Sequence, residues 1–186
     1  MKVYSPRTTK LRTIALLISL TCLLSDFTAD AALTTYLKLT LKGEWIQGDT
    51  LTSAYTNLIS CSSFESEIYK PGAPETPMVH RPIKFVKPMD RATPKIGEAF
   101  LQNFTGTAEF RFYQLTTGSG SGVEVNFMTV TLSGVRVKSQ RILMPNNLNP
   151  DLMRYSTFEE VTLSYTSITI HHEVSGYETT LDVAAP

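Results

Sequence analysis

Residues 35–43 read TYLKLTLKG, with Leu37, Leu39 and Leu41 on one side of an extended chain and Lys38, Thr40 and Lys42 on the other. Period-two alternation predicts a strand with one buried face and one wet face. The pattern returns in TAEFRFYQLT, where Ala108, Phe110 and Phe112 alternate with Glu109, Arg111 and Tyr113. A Gly/Ser connector, Thr116 to Gly122, joins that run to VEVNFMTVTLSGVRV, so the pair predicts a hairpin. In EEVTLSYTSITIHH, Val161, Leu163 and Tyr165 share one parity while Ile168 and Ile170 take the other. The switch at Thr166-Ser167 predicts a β-bulge, which bends a strand and increases its twist.

Weaker signals fill the middle of the chain. Ser63 to Lys70 predicts a second strand and Ile83 to Val86 a short apolar one. Between them PGAPETP, Pro71 to Pro77, has no core residue and predicts an extended loop. Thr93-Pro94 fits a helix N-cap with proline at the first helical position. Ile96, Ala99 and Phe100 then share a face, which predicts that Phe100 is buried and that truncating it costs about 3–5 kcal/mol. At about ten residues, and weakened by Gly97, this helix needs a surface to dock on. The fold expected is mainly β: a small antiparallel β-barrel with one short α-helix packed beside it.

Length changes this picture little, since 186 residues suit one domain. The opening changes it more. Four bases (Lys2, Arg7, Lys10, Arg12) precede TIALLISLTCLL, and Ala29-Asp30-Ala31 offers a small-x-small cleavage site, as in a secretory signal. The organisation expected is a signal-like or misassigned extension over 1–31, a barrel domain over 32–175 and a C-terminal tail over 176–186. A later start at Leu33 is the alternative to cleavage after Ala31.

Charge and chemistry narrow the function. Of 17 bases and 17 acids, 13 and 15 remain once the opening is set aside, with no long basic run to hold nucleic acid. The apolar opening is too short to span a bilayer comfortably, so no membrane insertion is expected. Cys61 has no disulfide partner if the opening is removed, and no catalytic motif accompanies it. His171 and His172 are adjacent on a strand and face opposite ways, and His80 stands apart, so neither a metal nor any other cofactor is expected. The Gly/Ser connector fails as a hydrolase elbow because Gly120 holds the central position. Asp90, Arg91 and Lys95 surround the helix start without a nucleophile, and suit a helix cap or a salt bridge between subunits. Trp45 and Tyr55 lie in a polar stretch with no readable period.

The chain resembles the hemolysin-coregulated protein (Hcp) family of bacterial type VI secretion. The resemblance rests on YLKLTLKG, on HRPIKFVKPMDRATPKIGEAF, on VNFMTVTLSGVRV and on NNLNPDLMRYSTFEEVTLSYTSITIHH, in that order over about Thr35 to His172. It implies a structural tube subunit without catalysis. Homohexameric rings would stack inside contractile sheath proteins behind a spike protein, and small secreted effectors would travel in the lumen. It also implies assembly in the cytoplasm, secretion from the cell, and a helix on the ring's inner side. The extended loop with Pro71, Gly72, Pro74 and Pro77, together with Asp90 and Arg91, is the subunit interface so implied.

Two other readings compete. The signal-like opening favours a monomeric secreted or periplasmic β-barrel binding module. An enzyme fused to the barrel would need more chain than Val174 to Pro186.

Overall fold

Alternating residues do pair as expected, and they do so around one strand. The computed structural model describes residues 34–73, 75–116, 123–146, 148–152 and 156–183. β1 (Thr34–Leu41) runs antiparallel along β8 (Gly106–Thr116), which pairs with the 21-residue β9 (Val123–Leu143). The connector between β8 and β9 lies outside the described residues, but the register Thr116↔Val123 makes the pair a hairpin.

β9 serves two further partners in succession. Its second half pairs with β10 (Phe158–Ser164) and its first half with β11 (Ser167–His172). The parity switch is therefore a break between two strands, not a bulge within one. The register shift itself lies nearby, between Thr162 and Leu163. Gly134 has φ +62 at the changeover, and the Thr166 N–H and Oγ1 both bond the Ser133 carbonyl, at 2.9 and 3.1 Å. β12 (Tyr177–Asp182), in the stretch read above as a tail, adds antiparallel to β11.

The barrel expected from the pattern resolves, among the described residues, into one large antiparallel sheet with no single strand laddered to both ends of it. β10 continues to β7 (Ile83–Pro88). Two short strands then share the seam: β3 (Ile59–Cys61) pairs with β1 and β4 (Ser63–Glu65) with β7. Ser62 lies between them and donates its N–H to the Val86 carbonyl at 2.7 Å. β2 (Glu44–Ile46) pairs with the rest of β1 through a two-residue turn, Lys42-Gly43, with φ 54 and 78. Both angles are positive, as a tight hairpin turn requires, so Lys42 belongs to the turn and not to the strand face. A separate hairpin, β5 (Ile68–Tyr69) and β6 (Val79–His80), carries the proline-rich loop at its tip.

The helix α1 spans Ala92–Gln102 and buries Ala92, Thr93, Ile96 and Ala99. Phe100 is 50% exposed, against the expectation of burial. The buried stripe runs i, i+4, i+7 through 92, 96 and 99, and position 100 lies at its solvent edge. The helix also begins before Thr93. Asp90 supplies the cap, its Oδ1 accepting the Ala92 N–H at 2.9 Å while its own N–H donates to Thr93 Oγ1 at 3.2 Å. Pro94 falls in the first turn, where a missing N–H leaves no helical bond unmade. Asn103, at φ 54, ends the helix.

Candidate functional site

The sheet β1-β8-β9-β11-β12 has two chemically opposite faces. On one, Leu39, Ala108, Leu132, Ile168 and Leu181 are aligned across five strands, with Leu37, Phe110, Val130 and Ile170 in the next row. These join the main core, where Leu37, Leu39, Phe110 and Leu132 are wholly buried.

On the other face the rows read Thr40, Thr107, Ser133, Ser167 and Asp182; then Lys38, Glu109, Thr131, Thr169 and Thr180; then Tyr36, Arg111, Thr129, His171 and Glu178. Period-two alternation with consistent register places every one of these on one side. Hydroxyls dominate and charges are mixed. Arg111 pairs with Glu109 along β8, and the Thr169 and Thr180 hydroxyls meet at 2.8 Å. Glu173 accepts from the Thr129 hydroxyl and lies 3.3 Å from His171 Nδ1. The Thr129 hydrogen bond is the main reason its carboxyl titrates below the usual range; burial opposes this and His171 adds to it. At one end of this face Tyr36 stacks on Tyr55 with ring centroids 4.4 Å apart, and Tyr113 meets both edge-on. Burial first, and then a hydrogen bond to Glu124, push the Tyr55 phenol up to about 12. Tyr55 is thus placed by aromatic packing that gives no period in the sequence. Trp45 sits on β2, partly exposed.

Under the start of α1 lies a buried polar network. Lys87 and Glu159 stand directly opposite each other on β7 and β10, and both are fully buried. The three N–H donors of Lys87 Nζ are shared among four acceptors, Glu159 Oε1 and Asp90 Oδ1 at 2.6 Å, the Pro88 carbonyl at 2.9 Å and Thr93 Oγ1 at 3.2 Å. Gln140 on β9 closes the set by donating to Glu159 Oε2 at 2.7 Å and to the Thr93 carbonyl at 2.9 Å. One lysine is shared by two carboxylates there, and the Ala92 N–H, the Thr93 hydroxyl and Gln140 supply further donors to them, the kind of satisfaction under which burial is tolerable. Charged residues read as surface in a sequence, so only the cross-strand register reveals this network. Cys61 is buried nearby. Burial raises its thiol pKa strongly, Lys87 opposing and Asp90 adding to the shift, which leaves an unreactive thiol.

The expected interface residues fall in two places. Pro71, Gly72 and Pro77 are exposed at the tip of the β5–β6 arm, Gly72 with φ 128, and Pro74 lies outside the described residues. Asp90 is engaged inward as helix cap and Lys87 partner. Arg91 is half exposed and bonds within the chain, its Nε donating to the Gly48 carbonyl at 2.7 Å and its guanidinium meeting Asn57 and Asp49. It thereby ties the 48–57 loop to the helix start. Surface candidates that sequence reasoning missed are apolar: Leu101, Met144, Leu148 and Tyr177, each more than 70% exposed. Among the described residues no group of three or more His, Cys, Asp or Glu could hold a metal ion, and no helix is long and apolar enough to cross a membrane.

Comparison with known proteins agrees with this geometry. The family model described as type VI secretion system effector, Hcp, matches residues 36–172. The major exported protein of Pseudomonas aeruginosa is 26% identical over 145 residues, covering 75% of this chain and 83% of that protein. Among solved structures, the Hcp1 protein of an E. coli EAEC pathovar superposes with a TM-score of 0.70 at 24% identity, over 81% of this chain and 99% of that one. Secreted protein Hcp3 from Pseudomonas aeruginosa gives 0.66 at 21% identity, over 83% and 100%.

Proposed function

The chain belongs to the Hcp family of type VI secretion proteins, and from that premise we propose that six copies close into a ring whose channel is walled by the polar face of β1-β8-β9-β11-β12. The family is structural and not enzymatic, is exported by the type VI apparatus and generally forms hexamers. The observation that carries the reading is the opposition of faces: an apolar core side, and a side of threonine, serine and mixed charge. An antiparallel sheet can keep one face in water, and a cyclic head-to-tail contact closes when its rotation closes. The resemblance puts the helix on the inner side. Its exposed face carries Phe100 and Leu101, which suit contact with another copy better than a water-filled wall. We therefore assign the sheet, not the helix, to the channel.

In this reading the arm tip with Pro71, Gly72, Pro74 and Pro77 reaches a neighbouring copy, while Arg91, elsewhere on the surface, stiffens the 48–57 loop against the helix start. Rings stack into a tube, sheath proteins surround it, a spike protein tips it, and small effectors occupy the channel. The mixed charge and abundant hydroxyls favour polar cargo held loosely over a strongly charged ligand. Substituting Thr131 and Thr169 with lysine tests the wall. Rings should persist, and an anionic dye should become trapped in them. Unchanged dye uptake by intact rings would move the channel to another face.

A further inference from the structure

We infer that His171 gives the polar face a proton-controlled grip on loosely held cationic cargo, stronger near neutral pH and weaker in mild acid. This rests on the channel reading, since the face must enclose its guest, and it adds a regulation of that face. Of the chain's three histidines, His171 is the one that stands there. His172 takes the opposite parity, and His80 belongs to the separate β5–β6 hairpin, against Tyr165. The two adjacent rings are also wired differently. His172 Nδ1 accepts the Ser175 N–H at 3.2 Å, so that nitrogen carries no proton. His171 Nδ1 instead lies 3.3 Å from Glu173 Oε1, and its side chain is 32% exposed. A proton taken up by His171 therefore meets a carboxylate, and water can deliver it.

Strand register sets the charges around it. Thr129 faces His171 from β9 and Glu178 from β12. One strand beyond β9 lie Arg111 and Glu109, paired with each other. Lys38 follows on β1, Asp182 stands at the end of β12, and Glu124 sits at the tyrosine end of the face. Carboxylates thus outnumber cations among the described residues of this face, and a surface of that balance attracts cations. Histidine is the side chain whose charge ordinarily changes between about pH 5 and 8. Glu173 stays ionised across that range, because the Thr129 hydroxyl above all holds its carboxyl below the usual values. The Asn126 amide also donates to it at 3.3 Å, and its own N–H bonds the Phe127 carbonyl at 3.0 Å, so the group is fixed in place. Protonation of His171 draws Glu173 into an internal ion pair and removes one net negative charge from the face. In a six-membered ring the change is repeated in every copy around one channel.

The test uses purified rings of the full chain and a rhodamine-labelled dilysine peptide, whose amines stay charged throughout. Binding is read by fluorescence anisotropy from about pH 8 to about pH 5, at low ionic strength because salt screens exposed charges. Light scattering confirms rings at each step. Affinity should fall roughly fivefold across the range, the upper end for an exposed charge pair. His171→Asn, which keeps a donor for Glu173 but cannot gain charge, should hold the peptide equally well at both ends. His171→Lys should hold it weakly at both. Intact rings of the parent whose affinity does not change with pH, or that bind no peptide, would overturn the inference and leave the ring standing. So would a His171→Asn ring that keeps the parent's pH response. A complete absence of rings would sink the channel reading and this inference with it.

Discussion

Lys87 shows how one side chain organises two elements. It is completely buried and holds Glu159 on the facing strand and Asp90 at the helix cap. A buried ion pair adds little over an apolar pair of equal volume, but stranding one member costs about 3–5 kcal/mol. Lys87→Ala should therefore lower the unfolding free energy by about 3–5 kcal/mol in denaturant titration, and a Lys87→Met/Asp90→Asn/Glu159→Leu triple variant, which strands no charge, by much less. Equal losses in the two would mean that packing, not charge, dominates there. Burial likewise separates two neighbours on α1. Ile96→Ala should cost about 2–5 kcal/mol. Phe100→Ala should stay within about 0.5 kcal/mol in the isolated subunit. A Tyr55 phenol held at about 12 gives an alkaline signature. Its folded value lies above the ordinary 10.0, so its contribution is complete below pH 10 and declines as pH rises toward 12. Melting temperature and tyrosinate absorbance across that range should show it. Glu124→Gln should bring the titration closer to the ordinary value.

At the scale of elements, close approach decides more than propensity. A Cβ at Gly106 would lie 1.8 Å from the Thr40 carbonyl oxygen, a backbone atom that cannot swing aside. Gly106→Ala should thus open the β1–β8 ladder at that end and cost at least about 1–3 kcal/mol by chemical denaturation. A variant as stable as the parent would mean that the two strands separate there at no cost. β1, β8 and β11 were legible in the sequence because each has one dry and one wet face, so period two survives in the residues themselves. The break at Thr166-Ser167 was legible as a parity switch for the same reason. β2 and β3 are three residues long each and show no period, and the strand expected over Ser63 to Lys70 divides into β4 and β5, so the seam of the sheet was only partly legible. The Lys42-Gly43 turn did leave a signal, a glycine directly after an alternating run. Phe100 misled because a helical period gives the direction of a stripe but not its width.

For the whole molecule, the apolar rows explain the fold and the polar rows support the proposed channel. The family was legible from the order of several short stretches, while the polar face proposed to wall the channel emerged only once five strands were set in register. In the proposed ring, Leu101 and Tyr177 offer exposed apolar contact between copies. Ring formation is the claim on which these roles depend. The direct measurement is the particle mass of purified protein by light scattering at micromolar concentration, paired with negative-stain images. The account predicts a mass six times that of the subunit and rings with an open centre. A clean monomer, with no rings at any concentration, would contradict it.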